Sequence, residues 1–182
     1  KLRIIRDGKE DLTFDIVREE INIPSVETKT LEGNIGYFKV SRFGDDTTTL
    51  TREAAEKLKA AGAKKVILDL RGNPGGYLES AVDVSSLWLD NKIVLQEKRD
   101  GVVIKTYKSR GDAPLLGIST VVLIDEGSAS ASEIVAGALH DNKAATLMGV
   151  KSFGKGSVQQ PQNLQNGAIL KVTIARWFTP NG

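Results

Sequence analysis

Two segments of this chain share one plan: a short apolar run, a turn of glycines and small polar residues, then a stretch with helical spacing. In the first, VILDL (66–70) leads through RGNPGG (71–76) to Leu78, Ala81, Val82, Ser85 and Leu89. In the second, VVLID (121–125) leads through EGSA (126–129) to an amphipathic stretch that Ser130 opens and that ends near Asp141. Continuous apolar runs bounded by turn signals read as strands buried on both faces, the pattern of parallel sheets covered by helices. In such sheets, ligands gather at the carboxyl ends of the strands. The chain is therefore read as an α/β protein, and the loops at 71–76 and 126–130 are the first places to look for chemistry.

The remaining pattern adds a β-rich N-terminal segment to one α/β domain. Residues 1–6 and 12–18 read as a hairpin around Asp7-Gly8, and 25–31 and 35–40 as further strands. Leu50, Ala54, Ala55, Leu58 and Ala61 keep helical spacing, with Gly62 suited to follow the helix end. A hairpin over 93–98 and 102–108 turns at Asp100-Gly101, a strand covers 144–148, and a terminal hairpin turns at Asn166-Gly167. With 182 residues, 40% of them hydrophobic, the chain has enough apolar mass for one sizeable core. A net charge of +2 with interspersed signs argues against a dedicated nucleic-acid surface. The absence of cysteine excludes disulfides and thiolate metal sites.

Ser128, Ser130 and Ser132 are all suited to capping a helix, and taken singly each reads that way. Ser130 differs in standing at the helix start, where the first N–H groups lack partners and the dipole is positive, so Ala131 N–H could serve an oxyanion. A serine nucleophile needs a base. The one histidine, His140, lies ten residues on, roughly 15 Å along a continuous helix and out of reach. It reads as a helix-end residue.

Lysine remains, and Lys155 has the distinctive setting: Gly154 and Gly156 flank it, with Phe153 and Val158 as expected apolar cover. A lysine accepts a proton only as the neutral amine, which burial favours. If 154–160 is extended, alternation puts Lys155, Ser157 and Gln159 on one face, where Gln159 would orient the amine. Gly-Lys-Gly-Ser lacks the spacing of a phosphate loop. In RGNPGG the dinucleotide fingerprint is absent and Pro74 removes an N–H. That loop reads as half of an oxyanion hole, through Gly75 or Gly76, with a purely structural turn as the alternative. Trp88, Trp177 and Phe178 read as core or interface, with a cleft-lining role open for the last two. Glu133 reads either as a first-turn acid or as a support for the active-site loop.

Taken together, REEINIPSVE (18–27), NIGYFKVSRF (34–43), LDLRGNPGG (68–76), GSASASEIVAGAL (127–139), FGKGSVQ (153–159) and ARWFTPNG (175–182) resemble the catalytic core of the carboxy-terminal processing peptidases, or tail-specific proteases. The resemblance implies a crotonase-like spiral ββα core and a serine endopeptidase with a Ser–Lys dyad that cleaves near C-terminal tails. Ser130 corresponds to the nucleophile, Lys155 to the base and Gln159 to the lysine-orienting glutamine, while Gly75, Gly76 and Ala131 match the oxyanion region. It implies no cofactor or metal, protein or peptide substrates with C-terminal tails, and an extracytoplasmic setting such as a bacterial periplasm or cell envelope. An adaptor or activator protein and self-association are open. Family members carry a PDZ domain ahead of this core; residues 1–18 are similar to its last strand and linker, leaving 19–182 as the peptidase core. Two other readings stand beside this one: a catalytically silent scaffold or peptide-binding fragment, and a crotonase-like enzyme acting on thioesters.

Overall fold

The structure is a computed structural model that describes residues 1–8, 10–19 and 23–182. β1 (Leu2–Arg6) and β2 (Glu10–Phe14) pair antiparallel as a sheet of their own. The second strand is thus Glu10–Phe14 rather than 12–18. Positive φ at Asp7 (53°) and Gly8 (68°) turns the chain early and sets the register Leu2 to Phe14.

The site is positioned by a five-stranded sheet with the order β3-β4-β5-β8-β9. Its strands are β3 (Val26–Leu31), β4 (Ile35–Val40), β5 (Lys65–Asp69), β8 (Ser119–Ile124) and β9 (Thr146–Gly149). β3 is antiparallel to β4, and every other neighbouring pair is parallel. As expected from their apolar runs, β5 and β8 are central. Their register sets Asp69 opposite Leu123, and Leu70 N–H continues the ladder to Leu123 O at 2.9 Å. The loops that follow the two strands therefore leave the sheet side by side, at the same end.

Of the three helices, α1 (Thr47–Ala60) and α3 (Ala131–Asp141) pack on this sheet, and α2 (Leu78–Ser86) packs against both of them. α1 buries Ala54, Ala55 and Leu58 of the five positions whose spacing predicted it, while Leu50 is half-buried and Ala61 caps the helix, exposed; α3 buries Ile134, Val135, Ala138 and Leu139. α3 also touches β6 of a second sheet. That sheet has the order β10-β11-β6-β7, all antiparallel, from β6 (Ile93–Arg99), β7 (Val102–Lys108), β10 (Ser157–Asn163) and β11 (Ile169–Phe178). Trp88 belongs to the core as read: it is 1% exposed, meets Phe38 edge-on at 6.1 Å, and satisfies its indole N–H on Thr120 Oγ1 at 2.8 Å.

Two further sequence expectations need correction. The strand expected over 144–148 starts at Thr146, because Ala144 and Ala145 donate their N–H groups to Leu139 O at 2.8 and 3.2 Å and are held at the end of α3. Lys155 and Gly156 precede β10, and a register shift between Val158 and Gln159 breaks the strict alternation expected over 154–160.

Candidate active site

The loop after β5 is anchored from below. Asp69, 2% exposed, accepts Arg71 Nε at 2.9 Å, Arg71 Nη2 at 2.6 Å, Arg71 N at 3.0 Å and Tyr37 Oη at 2.8 Å. Burial alone would raise its pKa, but the bonds from Arg71 and Tyr37 outweigh burial and hold the carboxyl below the usual carboxylate range. The loop after β8 is anchored in the same manner. Asp125 Oδ1 accepts Gly72 N–H at 2.8 Å and Gly127 N–H at 3.0 Å, tying one loop to the other. Those bonds, with Gly72 foremost, also lower the Asp125 pKa.

Ser128 and Ser132 complete this tie. Ser128 Oγ donates to Leu70 O at 2.8 Å, Ser132 Oγ donates to Asn73 O at 2.9 Å, and both side chains are fully buried. Neither is a surface cap. Ser130, between them, stands at φ 54°, ψ −113° as the N-cap of α3, a conformation uncommon for any residue but glycine. Such strain, of about 1–3 kcal/mol, persists only where the surroundings over-determine it, and it concentrates at functional sites.

Gly75 and Gly76 meet this turn. A Cβ on Gly75 would stand 2.8 Å from Ser130 Cβ and 2.7 Å from Ala129 O, and one on Gly76 would stand 2.0 Å from Phe43 O. Their φ values of 100° and 147° also favour glycine. The two glycines differ in what their amides do. Gly75 N–H is donated to Asn73 Oδ1 at 2.9 Å, so the expectation that either glycine could serve an oxyanion narrows to Gly76. Among the described residues, Gly76 N–H and Ala131 N–H have no hydrogen-bond partner.

Ser130, Gly76, Lys155 and Gln159 line one cleft of about 440 Å³, together with Leu78, Ile134, Val158 and Trp177. Trp177 thus takes the cleft-lining position left open for it. Phe178 lies outside this cleft and sits under Lys98, whose Nζ is 4.4 Å from its ring centroid. Phe153, expected to shield Lys155, is 69% exposed, and Lys155 is itself exposed. The loop carrying both is held by its backbone, and both side chains are exposed.

Glu133 does that holding. Its Oε2 accepts Ser130 N–H at 2.8 Å and Lys155 N–H at 2.9 Å, and its Oε1 accepts Ser152 Oγ at 2.8 Å and Gly154 N–H at 2.6 Å. The first of these is half of a capping box, legible in the sequence as serine followed three residues later by glutamate. The other three join segments nineteen or more residues apart and have no local signature. His140 closes α3 far from this cleft, with Nδ1 3.2 Å from Asp141 Oδ1.

A strained serine at a helix start, two unpartnered amides and a lysine at the end of a parallel sheet form a site suited to acyl transfer. The chain belongs to the family described as Peptidase family S41, which matches residues 34–182. The resemblance to carboxy-terminal processing peptidases is borne out by relatives along the whole length. The chain is 38% identical to the carboxy-terminal processing protease CtpA of Bacillus subtilis, covering 100% of this chain and 39% of that protein. It is 38% identical to a probable CtpA-like serine protease of Staphylococcus aureus, over 98% and 36% of the two chains. Among solved structures, the photosystem II D1 C-terminal processing protease superposes with a TM-score of 0.82 at 29% identity, over 96% of this chain and 49% of that one. A putative S41 protease from Bacteroides fragilis shares the fold, with a TM-score of 0.70 at 18% identity, over 90% of this chain and 48% of that one. The chain thus spans well under half the length of the curated relatives named here.

Proposed function

We propose that this chain is the catalytic core of a serine endopeptidase that cleaves proteins near their C-terminal tails. One observation carries the reading: Ser130 holds a strained backbone beside two unpartnered amides and lines one cleft with Lys155. In this mechanism the neutral Lys155 amine takes the Ser130 proton as Oγ attacks the scissile carbonyl. The oxyanion is received by the Gly76 and Ala131 amides. The proton then passes to the leaving amine, which departs to give an acyl-enzyme, and Lys155 next deprotonates the water that hydrolyses it. Gln159 orients the lysine. The peptide would lie beside Lys155 against the apolar walls of the cleft, which include Leu78, Ile134 and Trp177.

Preference for C-terminal tails is proposed from the names of the relatives, and an extracytoplasmic setting is proposed from the sequence resemblance alone. A peptide-binding scaffold without catalysis is the second reading, favoured by the exposure of Lys155 and Phe153. Single-turnover hydrolysis of a peptide with a free apolar C-terminal tail decides between them. Cleavage that Ser130→Ala abolishes supports the peptidase. Binding of the peptide without cleavage supports the scaffold.

A further inference from the structure

Asn73 is fully buried, and its side chain is engaged at both ends. Nδ2 donates to Val40 O, the last residue of β4, at 2.7 Å, and Oδ1 accepts Gly75 N–H at 2.9 Å. Its backbone carbonyl accepts Ala129 N–H at 3.0 Å and Ser132 Oγ at 2.9 Å, from the residues on either side of Ser130 and Ala131. One residue therefore holds the sheet, the glycine loop and the serine turn together. A buried amide is costly unless its hydrogen bonds are made, so a position that served only to fill space would favour an apolar side chain.

Resting on the peptidase reading above, we infer that Asn73 is a positioning residue of the oxyanion hole. Its side chain withdraws the Gly75 amide, its carbonyl holds the serine turn, and the Gly76 and Ala131 amides are left at a set separation as the two donors. Such donors act only when they lie about 2.7–3.1 Å from the place the oxyanion will occupy. Loosening Asn73 should therefore weaken the transition state and leave ground-state binding of the peptide nearly intact.

The test begins with the chain itself and a peptide boronic acid with an apolar last residue, which forms a tetrahedral adduct on a serine Oγ. On adduct formation the amide protons of Gly76 and Ala131 should move downfield in NMR spectra, while Gly75 stays in place. Asn73→Ala keeps the backbone carbonyl bonds and loses the side chain. It should lower kcat by about ten- to a hundredfold, less than the roughly 10²–10³ of deleting a donor outright, with KM nearly unchanged. Its Gly76 shift on adduct formation should shrink. A merely structural role would reduce the folded fraction, read by circular dichroism, and leave kcat per folded molecule unchanged; that result overturns the inference. Should Asn73→Ala fail to fold, the spectra of the unsubstituted chain still decide. An adduct on Ser130 that shifts Gly75 instead of Gly76 sinks this inference alone, whereas no adduct at Ser130 sinks the peptidase reading with it.

Discussion

Glu133 accepts the backbone N–H of Lys155 at 2.9 Å on the same carboxylate oxygen that accepts Ser130 N–H at 2.8 Å. The residues proposed as nucleophile and base are thus held at a common point by their main chains. All four groups facing this carboxylate are donors, counting Ser152 Oγ and Gly154 N–H.

That donor-only environment makes Glu133→Gln an informative change. Glutamine offers one oxygen, and its NH₂ in place of Oε1 could donate to Ser152 Oγ but would face the Gly154 N–H without an acceptor, so the near-isosteric variant should lose part of the hold that Glu133→Ala loses entirely. Displacing the Lys155 loop by about 1 Å is enough to lose on the order of 10²-fold in kcat. Steady-state hydrolysis by both variants checks this, and wild-type kcat in Glu133→Gln would show that the loop is held by other means.

The three serines should separate cleanly. Ser130→Ala should be inactive, and Ser130→Gly, which also lacks the nucleophile, should melt above Ser130→Ala because it relieves the strain at φ 54°. Ser128→Ala and Ser132→Ala each remove one of two donors, from Leu70 O and Asn73 O, which keep the N–H groups of Asn73 and Ala129, so each should cost about 0.5–1.5 kcal/mol of stability while activity per folded molecule survives. Thermal melts and hydrolysis rates distinguish these outcomes. Activity remaining in Ser130→Gly would remove Ser130 from the chemistry.

At position 155, charge and proton transfer can be told apart. Lys155→Arg keeps a positive charge but stays protonated at any usable pH, so it should be as inactive as Lys155→Ala. Gln159→Ala should be milder, since it displaces the amine without deleting it. The measurement is peptide hydrolysis across pH for all three variants, and near-normal turnover by Lys155→Arg would mark the lysine as purely electrostatic.

Acid should loosen the loop after β5 through Asp69. Its carboxyl is held below the ordinary value of about 3.9 in the folded chain, so its contribution is present above that pH and is lost as pH falls through the folded value. The melting temperature should therefore drop below about pH 4. Asp69→Asn should start lower at neutral pH and fall less steeply, with Asp125 supplying part of the slope that remains. Parallel acid profiles for the two proteins would show that Asp69 plays no part.

Local pattern determined the strands, the helices and the candidate loops, because period, turn residues and capping act over a few residues. The apolar runs at 66–70 and 121–125, the helical spacing into α1 and α3, and the serine and glutamate of the capping box are all of this kind. The bond from Gly75 N–H to Asn73 Oδ1, two residues back, is an Asx turn of local origin, but the seating of Asn73 Nδ2 on Val40 O was decided by the tertiary structure. The same holds for the fastening of Ser128 to Leu70, of Ser132 to Asn73 and of Glu133 to the Lys155 loop, which join segments far apart in the chain. Such bonds depend on parallel β5 and β8 delivering their loops to one end of the sheet, and no local periodicity encodes that meeting.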